Sequence, residues 1–248
     1  MSATFNFAGK RILVTGASQG IGRDICLTLA KSGAYVVALA RNADLLASLV
    51  SESPKNITAI PADVTLSSEK LNTLLTPHYP FHGLVNNAGV ALNNVVGEIT
   101  EANIDRTLAI NVKAPIVISQ LVAKDLISRS LPGSIVNVSS QASLRPLPGH
   151  TVYCSSKAAL DMTTKSMAAE LGVHNIRVNT VNPTVVLTDM GRDNWGEESK
   201  KNSMISKMPI KRFAEIDEVV NAVLFLLSDA SSMTTGMPLT VDGGFSFN

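Results

Sequence analysis

Residues 11–22, RILVTGASQGIG, join a short apolar run to a turn that contains three glycines. The run Arg11–Thr15 has the composition of a buried β-strand and ends at Gly16. Helical spacing follows over residues 21–31, and a second apolar run follows over residues 34–40. Strand, glycine-rich turn, helix and strand in this order predict a βαβ unit with parallel strands.

The same alternation continues to the end of the chain. Further strands are predicted at residues 57–62, 83–86, 133–139, 177–182 and 239–242, and helices at residues 100–129, in the segment with Tyr153 that ends at residue 171, and at 217–228. Strands of near-continuous Val, Ile and Leu between helices are typical of a parallel sheet covered on both faces. The sequence therefore predicts an α/β fold: a single doubly wound, Rossmann-type domain over residues 1–248, with about seven strands.

Composition narrows the class of protein. The chain has 248 residues, of which 45% are hydrophobic and 17% charged, which fits one domain with a large core. A formal net charge of +1 gives no electrostatic reason to expect nucleic acid as a partner. Two cysteines make no disulfide framework, and the four histidines lack the spacing of metal ligands. We expect a cytoplasmic protein with no metal and no transmembrane segment.

The glycine turn is a candidate phosphate site. Gly16, Gly20 and Gly22 allow a tight turn and a close approach of the backbone, and the following helix start offers free N–H groups. The spacing is G-x-x-x-G-x-G, whereas the generic dinucleotide fingerprint is G-x-G-x-x-G. A plain strand-to-helix turn with three glycines is the alternative.

Arg41 ends the second strand, where a dinucleotide fold faces the adenosine ribose. An arginine there can bind a 2′-phosphate and favours NADP, whereas an acidic residue would favour NAD. An exposed surface arginine is the alternative. After the third strand, Asp63 and Val64 could meet an adenine, and residues 86–89, NNAG, end the fourth strand at the edge where ligands bind.

Tyr153 and Lys157 are the candidate acid and its partner. Residues four apart lie on one face of a helix, so the lysine ammonium could lower the pKa of the tyrosine from its usual value of about 10. An amphipathic helix that carries Y-x-x-x-K by chance is the alternative. Asn111, a weak helix former between apolar neighbours, could cap a turn, or bend its helix and hold a water.

With these residues in order, the chain resembles the short-chain dehydrogenase/reductase family along essentially its whole length. The matching motifs are Thr15-Gly16-x-x-x-Gly20-Ile21-Gly22, Asn86-Asn87-Ala88-Gly89, Asn111, Ser140 and Tyr153-x-x-x-Lys157. The resemblance implies a dinucleotide-binding part over about residues 1–140, and a catalytic and substrate-binding part over about residues 140–248. It also implies a homotetramer, in which the tyrosine-bearing helix and the strand at residues 237–242 make contacts between subunits.

The resemblance implies roles for single residues. Tyr153 would donate a proton, Lys157 would lower its pKa and hold the nicotinamide ribose, Ser140 would hold the carbonyl oxygen, and Asn111 would position a water. NADP(H) would contact residues Gly16, Ser18, Gln19, Gly20, Ile21, Gly22, Arg41, Asn42, Asp63, Val64, Asn87, Ala88, Gly89, Tyr153, Lys157, Pro183, Val186 and Thr188. The family commonly has Pro-Gly where this chain has Pro183-Thr184, which leaves the backbone geometry of that loop open.

The substrate is expected to be a small molecule with a carbonyl group. The stretches 135–141, 152–161, 181–186, 219–229 and 234–237 are similar to members of the family that reduce small ketoses and α-dicarbonyl compounds. The polar segment 188–209 is a candidate lid. The substrate pocket would be formed by Ser140, Gln141, Leu147, His150, Tyr153 and Trp195.

Three alternatives remain open at this point. Trp195 could be a structural anchor only. The enzyme could be a general carbonyl or 3-oxoacyl reductase of the same family. The chain could also be a dinucleotide-binding sensor without catalysis, although such a protein has no need of the tyrosine, lysine, serine and asparagine set.

Overall fold

The computed structural model describes residues 5–186, 188, 195 and 197–247. Its centre is a seven-stranded sheet in the order β3-β2-β1-β4-β5-β6-β7, and all neighbouring strands run parallel. The strands are β1 Arg11–Thr15, β2 Tyr35–Ala40, β3 Ile57–Pro61, β4 Gly83–Asn86, β5 Gly133–Val138, β6 Ile176–Pro183 and β7 Pro238–Val241. The prediction of one doubly wound domain is confirmed.

Helices fill the connections between the strands. In the described residues they are α1 Gly20–Lys31, α2 Ala43–Glu52, α3 Ser68–Leu75, α4 Glu101–Leu108, α5 Ala114–Ser128, α6 Thr151–Leu171, α7 Glu198–Ile205 and α8 Ile216–Leu227. The sequence interpretation passed over α2, α3 and α7, which are short helices of eight to ten residues. None of the helices described is long and apolar enough to cross a membrane.

Alternate strand residues supply two separate cores. Ile12 and Val14 of β1 face one layer, where they belong to a cluster with α1, α2 and α8. Leu13, between them, faces the opposite layer, which contains residues of α3, α5 and α6. Because side chains alternate across a strand, an uninterrupted apolar run is what a sheet covered on both faces requires.

The strand order decides where a ligand can bind. From β1 the chain proceeds to β2 and β3 on one side, and then returns to place β4 on the other side of β1. The loops after β1 and β4 therefore diverge and leave a crevice at the carboxyl ends of the strands, which is where open α/β sheets bind ligands.

Candidate active site

A cleft of about 490 Å³ lies at this crevice. It brings together the glycine turn, the ends of β2 to β6 and the start of α6. Of the residues expected to bind cofactor or substrate, the cleft is lined by Gly16, Ser18, Gln19, Gly20, Ile21, Arg41, Asn42, Asp63, Val64, Asn87, Ala88, Gly89, Ser140, Gln141, Leu147, His150, Tyr153, Lys157, Pro183, Val186, Thr188 and Trp195. Gly22 and Asn111 lie behind the lining.

Gly22 is required by packing. A Cβ at this position would lie 2.4 Å from Asn87 Nδ2 and 2.4 Å from the Gly16 carbonyl oxygen. The Asn87 amide needs that space because Nδ2 donates to the carbonyl oxygens of Thr15 and Gly16, both at 3.1 Å. Asn87 therefore joins the end of β4 to the glycine turn.

The start of α1 suits a phosphate group. Its N-cap residue, Gln19, makes no side-chain capping bond, and the first turn carries no acidic residue. The first N–H groups of a helix have no partner within the helix, and they lie at the positive end of its dipole. A dinucleotide pyrophosphate would supply the missing acceptors, so the residues present fit such a cofactor.

Arg41 and Asp63 lie together at the far end of the cleft. Arg41 Nη1 is 4.0 Å from Asp63 Oδ2, and the arginine side chain is 63% exposed. Burial raises the pKa of Asp63, but hydrogen bonds from Thr65 and the charges of Arg41 and Arg106 outweigh it, so the net pKa is lowered. Asn42 has a structural role as well, because Oδ1 accepts from the Leu45 N–H at 3.0 Å and caps α2.

Tyr153 and Ser140 meet at the other end of the cleft. Burial raises the pKa of Tyr153, and a hydrogen bond with Ser140 lowers it in part. The expectation that Lys157 lowers this pKa is not met in this arrangement, since burial dominates and Lys157 Nζ lies 5.7 Å from the centre of the tyrosine ring. Ser140 Oγ accepts from the Ala142 N–H at 3.1 Å, which leaves its hydroxyl proton free for another acceptor.

Lys157 is buried and only 4% exposed. Its Nζ donates to the carbonyl oxygen of Val138, the last residue of β5, at 2.8 Å. Burial lowers the pKa of Lys157 from 10.5 to about 8, and the nearby charge of Asp161 acts in the opposite direction. Its amine can thus exchange a proton close to neutral pH.

Asn111 lies in a π-helical turn, Ala109–Lys113, between α4 and α5. Pro115, four residues later, has no N–H to donate to the Asn111 carbonyl, so the regular α-helical pattern cannot continue here. The Asn111 side chain binds the backbone of Val90 in both directions at 2.9 Å. The helix is therefore interrupted by a π-turn at the residue where the sequence left a cap or a bend open.

Two aromatic rings form a wall beside Tyr153. The His150 ring stacks on Trp195 with centroids 5.9 Å apart, and it meets Tyr153 edge-on at 6.4 Å. His150 Nδ1 lies 2.8 Å from the Pro148 carbonyl oxygen and donates to it, because a carbonyl oxygen can only accept. Leu147 and Trp195 pack against an apolar cluster that includes α7. Residues 189–194 and 196 of the expected lid lie outside the described residues.

The loop after β6 is tied to the last strand. The Thr184 N–H donates to the Val241 carbonyl oxygen at 3.0 Å, and Thr184 is only 7% exposed. The side chain that replaces the family's usual glycine is therefore accommodated beneath the loop, where Thr184 Oγ1 lies 4.0 Å from Met208 Sδ.

Sequence reasoning did not find the hydrogen-bonded polar residues beneath the site, although Asn86 belongs to a motif that it identified. Asn86 Nδ2 donates to Asn137 Oδ1 at 2.8 Å, and Asn137 Nδ2 donates to Thr164 Oγ1 at 2.8 Å, which links β4 and β5 to α6. Asp161 and Asn182 form a second buried pair. The position of the asparagines inside otherwise apolar strands is the sequence feature that could have indicated a buried polar network. Among the described residues, no group of three or more His, Cys, Asp or Glu could hold a metal ion.

Comparison with known proteins agrees with this geometry. A family model described as enoyl-(acyl carrier protein) reductase matches residues 16–246. An L-xylulose reductase of Caenorhabditis elegans is 62% identical, and the match covers 100% of both chains. The chain belongs to the short-chain dehydrogenase/reductase family.

Two further relatives support the family assignment. A D-erythrulose reductase of Gallus gallus is 51% identical over 99% of each chain. The solved structure of a gluconate 5-dehydrogenase from Burkholderia cenocepacia J2315, in complex with NADP and tartrate, has a TM-score of 0.93 at 27% identity and covers 99% of this chain and 98% of its own. As a member of the short-chain dehydrogenase/reductase family, the protein is an oxidoreductase that interconverts CH–OH and C=O groups with a nicotinamide dinucleotide.

Proposed function

We propose that the protein is an NADPH-dependent reductase of small ketoses and α-dicarbonyl compounds, with L-xylulose, reduced to xylitol, as its substrate. The observation that carries this proposal is the cleft-lining residue Gln141, next to Ser140, whose Oε1 is buried without a hydrogen-bond partner among the described residues. A buried unpaired acceptor is costly, and a substrate hydroxyl would satisfy it. The likeness to an L-xylulose reductase and a D-erythrulose reductase supports the same substrate class.

Tyr153 acts as the proton donor. When bound, NADPH supplies a hydride to the carbonyl carbon. Tyr153 gives its proton to the carbonyl oxygen as negative charge develops there, and its raised pKa keeps it protonated at neutral pH, which is the state that a donor requires. The Ser140 hydroxyl holds the same oxygen and stabilises its charge.

Lys157 and Asn111 restore the proton. The Lys157 amine, with a pKa of about 8, both holds the nicotinamide ribose and exchanges protons near neutral pH. Asn111 positions a water between Lys157 and solvent. This role is supported by the π-turn, in which the Asn111 carbonyl lacks its α-helical donor, and by Gly89, whose Cβ position would lie within 3.6 Å of both side chains.

Arg41 selects NADPH over NADH. It is the charged residue of the cleft at the end of β2, and its contact with Asp63 is long, at 4.0 Å, so that the guanidinium remains available to a 2′-phosphate. The neighbouring cleft residues Ser18 and Gln19 carry no charge. The preference for NADPH therefore depends mainly on Arg41.

A substrate panel with both cofactors tests the proposal. We expect L-xylulose and diacetyl to be reduced with NADPH at a much higher kcat/KM than an acetoacetyl thioester. A preference for the thioester would instead indicate a 3-oxoacyl reductase. Turnover of no compound in a broad panel would indicate a binding protein without catalysis. Tyr153→Phe should abolish turnover and leave NADPH binding nearly unchanged, and substantial activity in that variant would contradict the mechanism.

Gln141→Met tests the substrate class more sharply. This change keeps the volume of the side chain and removes its acceptor. We expect kcat/KM for L-xylulose to fall about 10- to 100-fold, because a hydroxyl loses its partner. Diacetyl has no hydroxyl to lose, so its kcat/KM should change by less than about threefold. An equal loss for both compounds would assign Gln141 to packing.

We also infer a homotetramer, which the family resemblance implies. It is supported by exposed apolar side chains on the two elements concerned, Met162 on α6 at 60% exposure and Met237 beside β7 at 48%. Light scattering should give four times the mass of one chain, and the mass of a single chain would contradict the inference. The cytoplasmic location stays a prediction.

A further inference from the structure

We propose that Asp161 is a positioning residue of this active site, whose buried carboxylate fixes Ser140 through Ser143 and Asn182. This inference rests on the proposed role of Ser140 in holding the carbonyl oxygen. Asp161 lies on α6, one helical turn after Lys157, is 7% exposed and does not line the cleft. It acts through its neighbours and touches neither cofactor nor substrate.

One oxygen of the Asp161 carboxylate accepts hydrogen bonds from side chains on two other parts of the fold. Asp161 Oδ2 accepts from Ser143 Oγ at 2.6 Å and from Asn182 Nδ2 at 2.9 Å. Ser143 belongs to the turn that begins at Ser140, and Asn182 lies near the end of β6. The carboxylate therefore joins α6, the serine turn and the strand that leads into the loop at Pro183.

The number of protons on each group assigns the donors and acceptors in this network. Thr180 Oγ1 donates to Asn182 Oδ1 at 2.6 Å, which turns the amide nitrogen of Asn182 towards Asp161. Asn182 Nδ2 also lies 2.9 Å from Ser143 Oγ and donates to it. The Ser143 hydroxyl, which accepts from the amide, is then free to donate its proton to the carboxylate.

The network ends on Ser140. The Ser140 carbonyl oxygen accepts from the Ser143 backbone N–H at 3.0 Å and lies 3.2 Å from Asn182 Nδ2. Its backbone is thus held from two sides by residues that the carboxylate itself orients. Because the Ser140 side chain is short, a shift of this backbone moves the hydroxyl that meets Tyr153, and such displacements at a reacting group reduce turnover strongly.

The same carboxylate favours the charged form of Lys157. Burial lowers the pKa of Lys157, and the Asp161 charge opposes that shift. Other elements present neutral groups to Asp161, namely Ser143 and Asn182. Lys165, one turn further along α6, is exposed, and the Arg145 guanidinium lies over the Phe245 ring at 4.9 Å. Asp161 is the carboxylate whose charge acts on Lys157.

Stability alone does not explain a carboxylate here. Asp161 Oδ1 is buried and has no hydrogen-bond partner among the described residues. An ionised group with an unpaired oxygen costs stability, and such groups persist at functional sites. Asparagine at this position would keep the accepting oxygen for Ser143 and Asn182 and would remove the charge.

The test compares Asp161→Asn and Asp161→Ala with the wild type, using NADPH and L-xylulose. We expect kcat to fall about tenfold or more in Asp161→Ala, and by a smaller factor in Asp161→Asn, while the Kd for NADPH changes by less than about threefold. In Asp161→Asn the urea midpoint should stay equal or rise, because a buried charge has been removed. Asp125→Asn is the matched control, since Asp125 on α5 also has a buried oxygen without a partner among the described residues, and it should keep full activity.

A second readout needs no turnover. The 13Cε chemical shift of Lys157, followed against pH, should show its pKa lowered by about one unit in Asp161→Asn. Unchanged kcat in both variants of an active enzyme would overturn the positioning role. An unchanged Lys157 titration would overturn the electrostatic role. If the wild-type protein reduces no compound of the panel while the Lys157 titration still shifts, the proposed function fails and the effect of Asp161 on Lys157 stands.

Discussion

Asn111 and Ser156 are joined side chain to side chain, with Asn111 Nδ2 donating to Ser156 Oγ at 3.0 Å. Ser156 Oγ in turn donates to the carbonyl oxygen of Tyr153 at 2.7 Å. Both Asn111 and Ser156 are fully buried. These hydrogen bonds therefore connect the π-turn between α4 and α5 to the turn of α6 that carries Tyr153 and Lys157. Asn111 thus has a structural role in addition to its proposed role in proton transfer.

Asn111→Ala should remove both the structural role and the proposed role in proton transfer. The change leaves both backbone groups of Val90 without their side-chain partner and removes the donor to the Ser156 hydroxyl, and we expect the free energy of unfolding to fall by about 3 kcal/mol. We also expect kcat to fall more than tenfold in the protein that remains folded. Urea denaturation and steady-state kinetics measure the two effects.

Asn179→Ala is the control for Asn111→Ala. Asn179 is also fully buried, and it binds the backbone of Thr234 and Met237 far from the cleft. It should lose comparable stability and keep its kcat. An equal loss of kcat in the two variants would mean that the loss follows from stability alone.

Lys157 should give stability a specific dependence on pH. Its pKa is about 8 in the folded protein and 10.5 as the reference value, so between these values the unfolded chain binds more protons, and stability rises with pH. Between pH 7.5 and 9.5 this contribution is roughly 2 kcal/mol. Lys157→Met should lack it.

The measurement is urea unfolding at the two pH values, compared between variants. Lys165→Met, which removes an exposed lysine from the same helix, should retain the rise seen in the wild type. If Lys157→Met and the wild type differ by the same amount at both pH values, the lowered pKa of Lys157 is wrong.

Arg41→Ala should reduce the preference for NADPH over NADH. A charge-assisted hydrogen bond contributes about 1.5–3 kcal/mol, so the ratio of kcat/KM for the two cofactors should fall by about 10- to 150-fold. Stability should hardly change because Arg41 is exposed. Arg129→Ala, which removes an exposed arginine at the end of α5, should leave the ratio unchanged, and an unchanged ratio in Arg41→Ala would refute the assignment.

Gly22→Ala should damage the glycine turn. The new Cβ would displace Asn87 Nδ2 or the Gly16 carbonyl, and crowding of this kind costs about 1–3 kcal/mol. We expect a lower Tm and weaker NADPH binding by fluorescence titration. Gly172→Ala at the end of α6 is the control, since its Cβ would meet nothing within 4 Å and its φ is −58°, and its Tm should not fall.

Local sequence was sufficient for the parallel sheet and for the two ends of the cleft. The apolar run before Gly16 and residues 36–40 are buried on both faces of the sheet, and this is why the strands are composed almost entirely of apolar residues. Tyr153 and Lys157 could be paired because a helix places residues four apart on one face.

The tertiary structure alone decided the environment of these residues. Asp161 receives its bonds from Ser143 and Asn182, which lie 18 and 21 residues away in the chain, so no local pattern reveals the carboxylate as a partner of Ser140. The pKa of Tyr153 could not be inferred from local sequence either. The sequence suggested that a neighbouring ammonium would lower it, whereas burial, a property of the whole fold, raises it.

The sequence by itself therefore determined which residues meet at the carboxyl edge of the sheet, because hydrophobic periodicity and glycine spacing are local. It could not determine how deeply Tyr153 and Lys157 are buried or which groups hold them in place. Desolvation and hydrogen bonding depend on segments that are distant in the chain and become neighbours only when the sheet and its two helical layers have formed.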